Sequence, residues 1–350
     1  MSIFGLMGKR RFAQQKRTPK SFNQRSFVLL LMLLSATSAQ IILPKMNVDR
    51  SKLSVSGISS GAAMATQFHF AHSSELLGAG VFAGVPYMCG YGGVAAATTC
   101  MITPALVNVP WLITEANSVE AAANIDSTAN VRGSKVYIFH GSKDSTVLPG
   151  SGPNIRQMYQ HYGAQIKTEF GVPAEHGQPT DNYGAACGSN SHNTGFINNC
   201  GYNGAFEMLN HIHGGNLIRP DSSTRPAGDF QLFDQSEFFS YNPSLSSMDS
   251  AGFLYIPSAC KSGALCALHV AFHGCQQYRG VIGDTYATKA GYLEVAELNN
   301  IIILFPQTVR TVSNPNGCWD WWGYLNVMFP TKHGNQVLAT YRMMQRLING

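Results

Sequence analysis

Apolar and polar positions alternate through "KLSVSG" (52–57) with the two-residue period of a short strand, and "GAAMATQFHFAHSS" then sets Ala63, Met64, Phe68 and Ala71 at helical spacing. The same succession recurs down the chain. "KVYIFHGSKDSTV" opens on an apolar strand, Val136 to Phe139, which runs into a loop carrying Asp144, and "KTEFGV" reads as a further strand. "ALHVAFHGCQQ" predicts a strand from Leu268 to Phe272, and "TKAGYLEVAELNN" a helix by its spacing of Tyr292, Val295, Ala296 and Leu298. "IIILF" reads as a buried strand and "NQVLATYRMMQRLI" as an amphipathic helix. Strands alternating with helices predict the α/β class, a central sheet flanked by helices. With no linker, repeat or low-complexity run, the simplest organisation is a single domain.

The two ends refine that picture. Residues 1–39 hold seven Lys and Arg and no acid, then "FVLLLMLL", then the small residues of "SATSAQ". This is the pattern of a signal peptide, cut near Ala39, whose apolar run falls short of the ~20 residues of a membrane span. The mature chain, 40–350, is therefore expected to be exported, extracellular or periplasmic, to act as a monomer and to have no stable membrane insertion. Without the leader, 17 basic residues face 19 acidic ones, so the apparent basicity belongs to the leader. That excludes a nucleic-acid partner and suits a neutral or apolar substrate. Cys89, Cys100, Cys187, Cys200, Cys260, Cys266, Cys275 and Cys318 read as four disulfides in an exported chain. The first six fall into pairs 11, 13 and 6 residues apart, which favours neighbours and leaves Cys275 with Cys318. No C-x-x-C or close His/Cys set points to a metal.

The chemistry starts at "GISSG". Gly57-Ile58-Ser59-Ser60-Gly61 fits G-x-S-x-G in one frame, with Ser59 central, between a predicted strand and a predicted helix. A nucleophile elbow needs that context, because the turn strains the serine backbone and brings strand and helix close together. Ser60 then follows the nucleophile, with a backbone N–H placed for an oxyanion. A serine needs a base oriented by an acid. Asp144, just past a strand end, is the candidate acid, while Asp126 lies in a polar stretch and reads as a solvated or capping residue. His176, in the Pro/Gly loop "PAEHGQPTDN", is the candidate base ahead of His192, His211 and His213. His69 and His72, on the helix after the elbow, read as packing or surface residues.

A second oxyanion donor usually comes from an "HG" loop upstream of the serine, yet the best match here, His273-Gly274-Cys275, lies far downstream. The series that follows it, helix, strand, helix, ends at the C-terminus, and in an ordinary α/β-hydrolase that series immediately precedes the nucleophile strand. Circular permutation accounts for the order, with the usual ends joined and new ones opened just before "KLSVSG". At this level the motifs "SGISSGAAMA", "FHGSKD", "AEHGQPTDNYG", "FINNCGYNGA", "VAFHGCQQ" and "NPNGCWDWWGY" resemble those of the secreted poly(3-hydroxybutyrate) depolymerases, in their single-domain, circularly permuted form.

The resemblance implies an α/β-hydrolase-like sheet, Ser59 as nucleophile, Asp144 as acid, His176 as base, and an oxyanion hole from the N–H groups of Ser60 and Cys275. It implies no cofactor, and a polyester, or its oligomers, as the partner. A Cys275–Cys318 bridge would fix the oxyanion loop and bring Trp319, Trp321 and Trp322 toward the substrate; a core role for the tryptophans stands equally open. Unlike two-domain members of the class, this sequence offers no separate substrate-binding domain, so adsorption would fall to apolar residues around the cleft. The rival expectations are a feruloyl- or acetyl-type carbohydrate esterase, because one fold serves many acyl groups, and a non-catalytic binding protein on the same scaffold.

Overall fold

The structure is a computed structural model that describes residues 40–350; the leader and its cleavage site lie outside them. Among the described residues eleven strands follow in chain order: β1 Val48–Ile58, β2 Leu76–Phe82, β3 Lys135–Phe139, β4 Gln165–Glu169, β5 Gln178–Thr180, β6 Ala185–Ala186, β7 Ile197–Asn199, β8 Asp229–Asp234, β9 Ala251–Ile256, β10 Cys266–Phe272 and β11 Ile301–Phe305. Eight of them form one sheet in the order β4-β3-β2-β1-β10-β11-β9-β8, and β5, β7 and β6 form a small second sheet. Within the large sheet only β9 runs against its neighbours. The first strand in sequence is thus a central strand in space. From it the chain steps outward to β4, crosses to the far edge on the other side with β8 and β9, and reaches the flank of β1 only with β10, which makes the boundary between β1 and β10 the place where strand order reverses. Open α/β sheets bind ligands at the carboxyl ends of strands at such a point.

Both faces of the sheet are covered, as parallel strands require. The two-residue period sorts the side chains: Val136 and Ile138 enter one core while Tyr137 and Phe139 enter the other, and Ile302 and Leu304 part in the same way from Ile301, Ile303 and Phe305. Of the polar positions in "KLSVSG", only Lys52 reaches water. Ser54 and Ser56 are buried and hydrogen-bond the two ring nitrogens of His269 on β10, at 2.8 and 2.7 Å, and Ser56 also meets the Tyr292 hydroxyl. Burial without such partners would cost on the order of 1–3 kcal/mol per group.

Some predicted elements are trimmed. "KTEFGV" begins its strand two residues early and leaves the sheet after Glu169. The predicted helix around 288–300 is two, Thr285–Lys289 and Tyr292–Asn299, parted where Gly291 takes φ +86°, a left-handed conformation that costs glycine little. The helix Asn335–Asn349 packs beside β1, and the Met46 N–H donates to the Leu347 carbonyl at 2.8 Å. The start and the end of the described chain therefore lie side by side, next to the nucleophile strand. Disulfides join Cys89–Cys100, Cys187–Cys200, Cys260–Cys266 and Cys275–Cys318. Among the described residues, no helix is long and apolar enough to cross a membrane, and no group of His, Cys, Asp and Glu is arranged to hold a metal ion.

Candidate active site

Ser59 sits between the end of β1 and the helix Ser60–Ala71, with φ 57° and ψ −122°. A non-glycine residue held there stores about 1–3 kcal/mol, which only a well-determined surrounding structure sustains. Its N–H is held by the Phe82 carbonyl at 2.9 Å, and its own carbonyl accepts from Ala62 and Ala63, starting the helix. Both flanking glycines are demanded by contact: a Cβ on Gly57 would lie 2.2 Å from the Gly61 carbonyl oxygen, and one on Gly61 would lie 2.3 Å from those of Phe272 and His273. All twelve residues of the helix are buried. Gln67 among them donates to the Asp320 carbonyl, and His69 is held between Tyr159 and Ser134. His72 is buried too, stacked flat on Tyr341 with ring centroids 4.1 Å apart.

Asp144 and His176 come together at the same edge of the sheet. The Asp144 side chain is fully buried; its Oδ1 accepts the N–H groups of Thr146 and Val147, each at 2.9 Å, and its Oδ2 lies 2.8 Å from His176 Nδ1. The loops bearing them are laced together, with Lys143 N–H donating to the Ala174 carbonyl and Ser145 donating twice to Glu175. With Nδ1 on the carboxylate, Nε2 of His176 is left for a proton to be taken up. His176 and Ser59 line one cavity of about 460 Å³. The other histidines separate by place. His192 also lines the cavity, packed on Phe196, whereas His211 reaches the Gln165 carbonyl at the amino end of β4, far from the cleft. Asp126 binds Lys332 and the Ser74 N–H, a capping role away from the site.

The Ser60 and Cys275 N–H groups have no protein acceptor among the described residues. The aim of the second follows from its peptide plane. His273 Nδ1 donates to the Gly274 carbonyl at 2.7 Å, and His273 Nε2 accepts the Thr308 N–H, so the ring is the neutral Nδ1–H tautomer. Burial holds its pKa near 4. In a trans peptide C=O and N–H point oppositely, so drawing the Gly274 oxygen toward His273 turns the Cys275 N–H away from it. The Cys275–Cys318 bridge and a Gln276 N–H bond to the Asn316 carbonyl fasten the same loop. Replacing both cysteines by alanine is expected to lower kcat on a soluble ester roughly tenfold, short of the 10²–10³ that outright loss of a donor costs. An unchanged kcat in that variant would detach the bridge from the oxyanion geometry.

The tryptophans divide. Trp319, for which a substrate role and a core role stood equally open, is fully buried and not at the substrate: it packs on Phe272 and donates its indole N–H to the His273 carbonyl at 2.9 Å, supporting the oxyanion loop from behind. Trp321 and Trp322 line the cavity. Asp320, just before them, accepts N–H groups from Gly323, Tyr324 and Leu325 and so shapes the turn that presents them. One wall went unread in the sequence. The helix Val94–Ile102 contributes Val94, Ala97 and Met101 to the cavity, and its small residues gave no periodic stripe to mark it.

The chain that carries this site has counterparts among known proteins. The chain is 36% identical over 351 residues to a polyhydroxybutyrate depolymerase of Talaromyces funiculosus, covering 94% of this chain and 99% of that one. The chain belongs to the poly(3-hydroxybutyrate) depolymerase family. It is also 36% identical over 323 residues to a poly(3-hydroxybutyrate) depolymerase of Delftia acidovorans, of which the match spans 64% of the length. Among solved structures, a PHB depolymerase from Penicillium funiculosum superposes with TM-score 0.79 at 33% identity, over 88% of this chain and 98% of that one. A serine-to-alanine PHB depolymerase complexed with an R3HB trimer matches equally well. No protein-family model matches the chain.

Proposed function

We propose that this protein hydrolyses poly(3-hydroxybutyrate) or its oligomers through an acyl-enzyme, with Ser59 as nucleophile, His176 as base and Asp144 as the group that orients it. The observation that carries the substrate reading is the cleft wall. No Asp, Glu, Lys or Arg is among the described residues lining it, which are aliphatic, aromatic, sulfur-bearing, amide and hydroxyl residues with two histidines. A chain of esters is neutral and only accepts hydrogen bonds, so it matches such a wall. A polysaccharide, dense in hydroxyl donors, would leave many of them unpaired there. The trimer held by the structural neighbour supports the same class.

In the proposed reaction His176 Nε2 takes the Ser59 proton as Oγ attacks the ester carbonyl, and Asp144 stabilises the imidazolium. The Ser60 and Cys275 N–H groups meet the oxyanion, each worth roughly 2.7–4 kcal/mol of transition-state stabilisation. The alcohol segment leaves with the proton from His176, and water, activated by the same ring, releases the acid. No cofactor enters. Val94, Ile102, Leu106 and Trp111 lie exposed on successive helical segments beginning at the cleft. They are proposed to rest on the polymer surface, since contiguous exposed apolar area marks a contact site. Four disulfides support an oxidising, extracellular setting.

The deciding experiment offers the mature protein amorphous poly(3-hydroxybutyrate) beside feruloylated and acetylated polysaccharide. Soluble 3-hydroxybutyrate products with little ferulate or acetate are expected. The reverse pattern would move the substrate to plant polysaccharide while leaving the acyl-transfer machinery as assigned.

A further inference from the structure

Behind the proposed acid stands a second histidine that the reaction does not use. His140 follows β3 directly, four residues before Asp144, and its side chain is wholly buried. Its Nε2 lies 2.7 Å from the Val147 carbonyl and 3.5 Å from Asp144 Oδ2. A carbonyl can only accept, so Nε2 carries the proton. Burial, opposed by the nearby carboxylate, holds the ring below the usual imidazole range, which keeps it neutral.

Val147 is the node of the arrangement: its N–H donates to Asp144 Oδ1 and its carbonyl accepts from His140 Nε2–H. The carboxylate is thereby held from both sides of one turn. The place of His140 is itself fixed, by its N–H bond to the Glu169 carbonyl on β4 and by Gly141, where a Cβ would lie 2.2 Å from the Ala174 carbonyl oxygen. Two residues beyond that contact on the same strand of loop is His176.

We infer that His140 is a positioning residue, which through its Nε2–H locks the 144–147 turn and aims the Asp144 carboxylate at His176. The inference rests on reading Asp144 as the acid. It requires a donor where Nε2 stands, and nothing else about the imidazole. Glutamine can set its amide nitrogen at that place. Asparagine, one carbon shorter, falls near the Nδ1 position and cannot reach Val147.

The test compares His140→Gln and His140→Asn on a soluble p-nitrophenyl ester, with folding checked by thermal unfolding. His140→Gln should keep kcat within about threefold of the parent, whereas His140→Asn should lose roughly 10–100-fold in kcat with little change in KM, as for an ångström-scale misplacement of a reacting group. Equal kcat in the two folded variants overturns the inference. Asp144→Asn, run alongside, separates the two layers: if it keeps parental activity, the assignment of the acid fails, and if it is inactive while the His140 variants match, only the positioning role falls. If neither His140 variant folds, nitrogen NMR of the parent protein decides. An Nε2–H tautomer at His140 is expected there, and an Nδ1–H tautomer or an imidazolium would overturn the inference.

Discussion

Replacing Ser59 by alanine should lower kcat by on the order of 10⁶, the scale at which removal of the nucleophile disables a serine hydrolase whose remaining parts act only through it. The fold should not notice. The Ser59 hydroxyl makes no hydrogen bond among the described residues, and alanine keeps the Cβ that the elbow already accommodates at φ 57°. Thermal unfolding of the variant is therefore expected to match the parent, and adsorption to polymer as well, because the exposed helices beside the cleft are untouched. Labelling by an active-site organophosphate should vanish with the hydroxyl. A variant that still released 3-hydroxybutyrate, or still took the label, would place the nucleophile elsewhere and remove the reason for the strained turn. A parent protein that failed to label would favour the non-catalytic scaffold.

Asp144→Asn should leave a folded protein with a rate roughly 10⁴ lower, as in the analogous protease substitution. The amide oxygen can still accept the N–H groups of Thr146 and Val147, so the turn survives. The amide nitrogen, however, then faces His176 Nδ1, 2.8 Å away in the parent, and donates where a carboxylate accepted. Nδ1 must become the acceptor, the ring proton moves to Nε2, and the nitrogen that should receive the serine proton is already occupied. Steady-state kcat/KM on a soluble ester reads this directly. A near-parental value would show that His176 is oriented by something other than Asp144.

The parts of this architecture that local chemistry dictates were legible in the sequence. "GISSG" implied a strained turn because nothing larger than glycine fits at Gly57 and Gly61, and the contacts there are backbone against backbone. Asp144 and His176 could be nominated from their positions just past strand-like runs, but their 2.8 Å contact depends on the pairing of β3 with β4 and on the laced loops, which no local pattern records. The alternation in "KLSVSG" predicted a strand for a reason that only partly holds: Ser54 and Ser56 face a buried histidine rather than solvent. Trp319 stayed undecided between cleft and core because composition cannot tell a tryptophan on a cleft from one beneath it, and its burial and its bond to the His273 carbonyl place it beneath. His140 and His273 each precede a glycine at a strand end, a shared signal read for the oxyanion loop alone. The wall formed by Val94–Ile102 was silent for a different cause, since a helix of alanines and threonines shows no face.

The central position of β1 has a bearing on how the chain comes to be folded at all. Val55 pairs with Val270 on one side and with Ala79 on the other, so one flank of the strand finds its neighbour almost at once and the other must wait for more than half of the chain. Sheet pairings across such separations close slowly, and until β10 arrives β1 is an unprotected edge able to pair with another molecule. The serine turn, built from β1, its helix and β2, belongs to the early neighbourhood, whereas Cys275 arrives with the late one. On this ordering catalytic competence waits for the arrival of Cys275, and an immature chain would present a formed nucleophile without the second donor to stabilise the charge it would create.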